Sequence, residues 1–398
     1  MQSRARNLSI TLILGTLTTI SPFSIDLYLP AFAQIAEHFD TTTARVSLSL
    51  SSYFIGLALG QVFYGPLLDR FGRKRPLYFG IALYLLSTAA CIVATSIEGF
   101  IAVRFLQALG GCAASVASTA MVRDFFSPAD GAKVFSRLML ILSVSPLFAP
   151  SVGGWIASEW GWQALFITLI VIVTLIFLGV FFFLPEGHAP DPSVSLHPKI
   201  ILQTFASIAR DRTFFAFAVT GAFSFAGLFT YLAGAPSIFF DRFHLTEREF
   251  GLIFAGLSVG MIGGGQINIL LMKRFSSQQI FKTALRLQAI VAIVFTVGCA
   301  FHAYNLTAHL VILFAYISCI GLTYPNAAAV ALAGFAKNAG SASALLGTLQ
   351  MGIGALASAM FGLQKTDASS AVARIFLVTS LTGVAIYQYA ISRSSRSV

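Results

Sequence analysis

Eleven stretches of this chain run for eighteen residues or more without an Asp, Glu, Lys or Arg. They are Leu8–Ile25, Val46–Leu68, Pro76–Ile97, Phe105–Val122, Leu138–Ser158, Trp160–Pro185, Thr213–Phe240, Phe250–Met272, Leu287–Ala336, Asn338–Gln364 and Ile375–Ser392. A helix that crosses the ~30 Å hydrocarbon layer needs about 20 apolar residues, so each run is long enough, or nearly so, for one crossing. Leu287–Ala336 is long enough for two, with the turn expected at His302–His309. The sequence therefore predicts an all-α membrane protein with twelve transmembrane helices. The runs lack the polar–apolar alternation of a membrane barrel. With 57% hydrophobic and 10% charged residues, the chain falls far below the ~25% charge of soluble domains.

The net charge of +10 is explained by where the basic residues lie. With the N-terminus placed in the cytoplasm, one side collects Arg4, Arg6, Arg70, Arg73, Lys74, Arg75, Arg123, Lys133, Arg137, Lys273, Arg274, Lys282 and Arg286, among others. The opposite loops keep only Arg45, Arg242, Arg248, Lys365 and Arg374. This positive-inside bias predicts both termini inside, and a membrane rather than a nucleic-acid partner. Cys91, Cys112, Cys299 and Cys319 all fall in apolar runs and read as small apolar fillers rather than disulfide or metal ligands. The first run lacks a small-residue cleavage site and reads as a retained helix.

Six runs, a break and six further runs give the expected domains: an N-terminal six-helix bundle over 1–185, a linker over 186–212 and a C-terminal bundle over 213–398. Pro185, Pro190, Pro192 and Pro198 exclude regular helix from the first part of the break. Ile201, Phe205 and Ile208 then recur at helical spacing beside Lys199 and Arg210, which predicts a short helix on the membrane surface. A shift of 204 residues aligns Gly56 with Gly260, Gly60 with Gly264, Arg70 with Arg274 and Phe71 with Phe275. Two parallel, pseudo-symmetric halves follow, an arrangement that binds substrate near the midplane. Helix starts are expected at Ser127-Pro128 and at the capping box Thr246-Glu-Arg-Glu249.

Two ionisable residues sit in apolar surroundings: Asp26, at the end of the first run, and Arg104, at the start of the fourth. A charge at the bilayer centre costs about 2.5–3.5 kcal/mol on insertion scales, so such residues pair, face a cavity or act in transport. Both fall in the outer half of the membrane, where they could face each other. Burial opposes the charge on such a carboxyl and a guanidinium favours it, and a group balanced between the two can take up and release a proton. No other acidic residue lies inside a run of the C-terminal half, so the N-terminal half is expected to carry any coupled proton.

The loop after the second run reads Gly65-Pro-Leu-Leu-Asp69-Arg70-Phe-Gly72-Arg73-Lys74. It resembles the signature loop of the major facilitator superfamily. There Gly65 and Gly72 would allow close helix contact and a tight turn, and Asp69, Arg70 and Arg73 would form a cytoplasmic gate. Arg104-Phe-Leu-Gln107 through Gly111 resembles the fourth-span motif of that family. Pro146-Leu-Phe-Ala149-Pro150-Ser-Val-Gly153-Gly154 resembles the fifth-span motif of its drug–proton antiporters, with Ala149 where the family has glycine. Ser24-Ile-Asp26-Leu-Tyr28-Leu-Pro30, Ala58–Pro66, Val122-Arg-Asp124, Phe223–Gly227, Pro325-Asn326-Ala and Gly340–Ala344 narrow the resemblance to the bicyclomycin/chloramphenicol resistance (Bcr/CflA) branch. The resemblance implies a monomeric bacterial inner-membrane exporter that exchanges protons for drugs, uses no cofactor or metal, and couples protons through Asp26 and Arg104.

Depth and residue type nominate Tyr28, Tyr53, Gln107, Phe225, Phe229, Asn326 and Gln350 as cargo contacts, suited to greasy, weakly polar molecules. The main alternative is a proton-coupled nutrient or metabolite permease of the same fold. An intramembrane enzyme is disfavoured: the chain contains no H-E-x-x-H, no G-x-G-D and no G-x-x-x-x-G-K-[ST].

Overall fold

The computed structural model describes residues 2–126, 128–301, 303–335, 339–364 and 366–394. They fold into helices α1 (Gln2–Asp26), α2 (Phe32–His38), α3 (Thr43–Phe71), α4 (Lys74–Ile92), α5 (Ile97–Phe125), α6 (Pro128–Trp160) and α7 (Trp162–Phe183). After the linker come α8 (Pro198–Ala209), α9 (Arg212–Pro236), α10 (Glu247–Leu271), α11 (Ser277–Ala300), α12 (Leu306–Leu332), α13 (Ala339–Gly362) and α14 (Ala368–Ser394). Among the described residues twelve spans are long and apolar enough to cross a membrane, and no strand is present. Large apolar side chains point outward from the bundle, among them Leu86, Phe182 and Phe183 at about 70% exposure. Such an exterior is stable in lipid and not in water.

Several local expectations are refined. The first span is not one rod: α1 ends at Asp26, a 3-10 turn follows over Leu29–Ala31, and α2 completes a span of Asn7–His38. Pro30 cannot donate to the helical ladder, which accounts for the break. The turn expected at His302–His309 is shorter, because the Asn305 side chain accepts the Ala308 N–H at 3.0 Å and starts α12 at Leu306. His309 is thus helical and fully buried, with Nε2 3.0 Å from Ser369 Oγ. The helix over Pro198–Ala209 is present, and it buries Ile208 against Phe214, Phe217 and Phe281. Helix α10 opens at Glu247, at the expected capping sequence. Ser127 lies outside the described residues.

The chain divides into two compact units. Unit 1 comprises residues 1–41, 52–201 and 247–252, and unit 2 comprises 42–51, 202–246 and 253–398. Each unit thus takes in the first turns of one helix that otherwise belongs to the other, α10 in unit 1 and α3 in unit 2. Within each unit the repeat is physical. A β-carbon at Gly56 would lie 2.5 Å from the Phe105 carbonyl oxygen, and one at Gly60 2.6 Å from Cys112 Cβ, so α3 approaches α5 closely. At the same offset of 204 residues, β-carbons at Gly260 and Gly264 would lie 2.8 Å from Ser318 Oγ and 2.3 Å from the Ser318 carbonyl oxygen on α12. Small residues let backbones meet where no hydrophobic force separates helix from lipid.

Candidate functional site

Arg104 is fully buried on α5 of unit 1. Its guanidinium carbon lies 4.2 Å from the ring centre of Tyr28, 4.4 Å from that of Tyr53 and 5.9 Å from that of Phe166. Desolvated stacking of this kind is worth about 2 kcal/mol per cation. Nη2 donates to the Ser24 carbonyl oxygen at 3.0 Å, and Nη1 donates to Gln107 Oε1. Gln107 Nε2 donates in turn to Thr88 Oγ1 at 2.8 Å, which fixes the amide's orientation. The Ser24 hydroxyl donates to the Ile20 carbonyl oxygen at 2.6 Å and so accepts from Tyr84 Oη, also 2.6 Å away. Three buried polar atoms near this cation find no partner: Arg104 Nε, Tyr53 Oη and Ser21 Oγ. The cage therefore retains hydrogen-bonding capacity for a bound group or water.

Asp26 ends α1 at the break in the first span and is 6% exposed. Its Oδ2 accepts the Ser145 hydroxyl of α6 at 2.9 Å. The facing ion pair allowed by the sequence is not formed: Asp26 has a hydroxyl partner, and Arg104 rests on aromatic faces, a carbonyl and an amide. Membrane depth can be read from the sequence, but the side of the helix on which a partner lies is set by packing. The Pro146–Gly154 stretch comes to the same place. A β-carbon at Gly153 would sit 2.1 Å from the Leu27 carbonyl oxygen, and one at Gly154 2.3 Å from that of Glu247. Gly153 thus seats α6 directly on the backbone of the α1 break, and Gly154 seats it on the start of α10, with Ser145 directly before Pro146 and Pro150 buried.

At the linker end of unit 1, Arg73 bridges two carboxylates. Nη1 lies 2.6 Å from Asp69 Oδ1 and Nε 2.8 Å from Asp124 Oδ2. Partial burial opposes the charge on Arg73, but the hydrogen bonds and charges of Asp124 and Asp69 more than offset it, and the guanidinium titrates above its usual value. Gly72 turns the chain at φ +83°, a left-handed conformation that glycine adopts without strain. Glu186 of the linker accepts the backbone N–H groups of Arg73 and Lys74 at 2.7 and 3.0 Å, at the positive start of α4. Arg70 Nη1 donates to the Val194 carbonyl oxygen at 2.9 Å, strapping the linker across the loop. Gly65 makes no close contact; a β-carbon there would meet nothing within 4 Å. Sequence reasoning missed Ser145 and Glu186, and used Asp124 only as part of a resemblance. A short acidic linker residue beside a basic loop was the available signal for Glu186, and nothing local marked Ser145.

The nominated residues of unit 2 gather on α9, α12 and α13. Phe225 and Phe229 meet edge to face at 5.2 Å, and Phe225 also packs on Tyr324 at 4.8 Å. Phe229 lies over Gly354, where a β-carbon would fall 2.0 Å from the ring, one helical turn beyond Gln350. Asn326 Nδ2 donates to Asn268 Oδ1 at 2.6 Å and to the Leu322 carbonyl oxygen at 2.8 Å. Asn326 Oδ1 and Gln350 Nε2 are buried without partners, one an acceptor and one a donor. Tyr28, Tyr53 and Gln107, by contrast, belong to the Arg104 cage of unit 1.

Residues 14–359 match the Major Facilitator Superfamily. The chain belongs to the Major Facilitator Superfamily. It shares 32% identity over 385 residues with the MFS-type transporter YdgK of Bacillus subtilis, covering 96% of this chain and 95% of that one. It shares 29% over 395 residues with a bicyclomycin resistance protein homolog of Haemophilus influenzae, covering 97% of each. The multidrug resistance protein MdtL of Shewanella oneidensis is 24% identical over 373 residues, covering 93% and 92%. The xylose transporter XylE from E. coli superposes with a TM-score of 0.76 at 14% identity, covering 96% of this chain and 97% of that one, and so shares the fold. This superfamily membership makes the chain a transporter of small molecules and not an enzyme. Twelve spans and bacterial relatives make it a multi-pass protein of the bacterial inner membrane.

Proposed function

We propose that this transporter exports small amphipathic drug-like molecules in exchange for protons by alternating access, as a monomer with both termini in the cytoplasm. The observation that carries the reading is that one unit buries both a carboxyl, Asp26, and a caged guanidinium, Arg104, each with its own uncharged partners. Asp26, held by Ser145 at the break of the first span, is the proton carrier. Arg104, held by Tyr28, Tyr53 and Gln107, is the second coupling residue and reaches the end of α1 through the Ser24 carbonyl oxygen. The proline–glycine face of α6 ties both to any movement of the α1 break. Phe225, Phe229, Asn326 and Gln350 offer cargo an apolar surface with one free acceptor and one free donor. Arg73, with Asp69 and Asp124, holds the cytoplasmic gate, with Arg70 on the last turn of α3 and Gly72 in the turn that follows. The N-terminal bundle, linker and C-terminal bundle are the working parts, and the proton gradient is the energy source.

The full-length similarity to drug-resistance proteins favours drug cargo over the nutrient-permease alternative. One proton entering down a 100 mV potential gains about 2.3 kcal/mol, enough to sustain about a fifty-fold gradient of a neutral cargo. For a monovalent cation exchanged one for one, the potential cancels and only the pH gradient drives export. The test is proton flux in inverted membrane vesicles challenged with a panel of candidate cargoes. Cargo-induced proton release from energised vesicles is expected for lipophilic drugs; no release with any drug, with sugars or amino acids entering together with protons, would establish the permease instead.

A further inference from the structure

Unit 2 contains one acidic side chain at the edge of a span that the sequence placed just outside it. The apolar run ends at Phe240, yet the seventh span continues through a π-helical turn, Ser237–Arg242, and carries Asp241 with it. Single π turns concentrate at functional sites because the wider ring is easily rewound. Asp241 opens onto a cleft of about 350 Å³ lined by Thr43, Ser237, Arg242, Gln364 and Asp367 among others. The first turns of α3, residues 42–51, belong to this same unit. Thr43 Oγ1 lies 2.6 Å from Asp241 Oδ2 and 2.7 Å from Ser237 Oγ. A threonine hydroxyl has one proton. With the carboxylate as terminal acceptor, the donors line up as Ser237 to Thr43 to Asp241.

No lysine or arginine neutralises Asp241 among the described residues. Its neighbour Arg242 is turned away, with Nη1 3.2 Å from both oxygens of Asp367. Of the other charged groups around the cleft, Arg374 donates to Thr366, His244 follows the π turn at φ +52°, and Arg45 is exposed on α3. Elsewhere in the α3 seat, Ser51 meets Ser358 at 2.7 Å, and Gly362 leaves room for Leu48. Thr43–Asp241 is thus a charge-assisted contact in this seat, made by an exposed carboxylate.

We propose that Asp241 is a proton-operated latch: its carboxylate holds the start of α3 through Thr43, and its protonation releases that helix end. The latch rests on the transporter reading above but not on Asp26 as proton carrier, so the pH dependence of transport has a second source, at the far end of the seventh span from the linker. The proton adds to Asp241 Oδ2, and the charged acceptor of the Thr43 hydroxyl becomes a neutral one, which halves the strength of such a bond.

The test is the rate at which a membrane-impermeant maleimide labels Ala44→Cys in the full chain, reconstituted in nanodiscs. The four natural cysteines are buried. Each rate is compared with that of the same cysteine carrying Asp241→Asn, so that thiolate chemistry cancels. The asparagine variant is expected to label about tenfold faster near pH 8, the scale of one hydrogen bond to a charged group, with the ratio falling to about one near pH 4, the ordinary Asp range. Thr43→Val should behave like the asparagine variant and Thr43→Ser like the parent. A ratio that does not change with pH, with Asp241→Asn and Thr43→Val both labelling at the parent rate, would overturn the latch. So would a pH dependence abolished by His244→Gln. The same ratio measured with Asp26→Asn present is expected to be unchanged, which separates failure of this proposal from failure of the coupling scheme.

Discussion

The two units bury polar groups in different ways. Unit 1 builds its network on charge: Arg104, Asp26 and Arg73 are all under 9% exposed. In unit 2 no Asp, Glu, Lys or Arg is buried among the described residues. Its counterpart is neutral, with Ser224 donating to Gln288 Oε1 at 2.6 Å, Gln288 Nε2 returning to the Ser224 carbonyl oxygen at 3.1 Å, and Thr323 closing the triangle at 2.7 Å. Gln288 stands where Tyr84 of unit 1 falls under the 204-residue shift. The same offset thus relates a charged core in unit 1 to an amide core in unit 2.

Arg104→Ala gives the largest expected break. It removes two stacked rings' cation and two charge-assisted hydrogen bonds, leaving the Ser24 carbonyl and Gln107 Oε1 unsatisfied, and should cost about 3 kcal/mol or more. Arg104→Lys should not restore it, since an ammonium cannot both stack and fork. Thermal unfolding in detergent checks both; wild-type stability in Arg104→Ala would erase the contrast between the units. Gly153→Ala comes next, at about 1–3 kcal/mol with impaired transport, because the added carbon strikes backbone. Gly65→Ala should be neutral in both assays; equal effects would show that the α6 seat on α1 has no special part in unit 1.

Gln288→Ala should cost about 1–2 kcal/mol by removing two buried hydrogen bonds to Ser224, yet leave the pH profile of transport unmoved. A shifted profile would place titrating chemistry in unit 2 beyond the latch. The smallest effect belongs to Asp367, outside the spans. Partial burial raises its carboxyl, but the Ser370 N–H and Arg242 more than offset this and hold it below the usual value. A lowered carboxyl contributes stability above its unfolded pKa and loses it as pH falls through the folded one. Asp367→Asn should therefore cost less than about 1 kcal/mol at neutral pH, given the exposure of the pair, and nothing in acid. A deficit that grows in acid would contradict the sign.

Spans and the signature loop were legible because hydrophobic length and glycine–charge spacing are local. The break in the first span was half legible in Pro30, but the charge-free run ended at Ile25 and hid its continuation to His38. Ser145 and the aromatic cage could not be read, because both depend on which faces of α1, α3, α5 and α6 meet. Asp241 was misjudged because one charged residue ended a run that the helix itself does not end.

The most direct measurement is cargo movement by Asp26→Asn in inverted vesicles, with and without a proton gradient. Gradient-driven uphill transport should vanish while cargo–cargo exchange persists at near the normal rate. Uphill transport at the wild-type level would contradict the assignment of the proton to the charged unit.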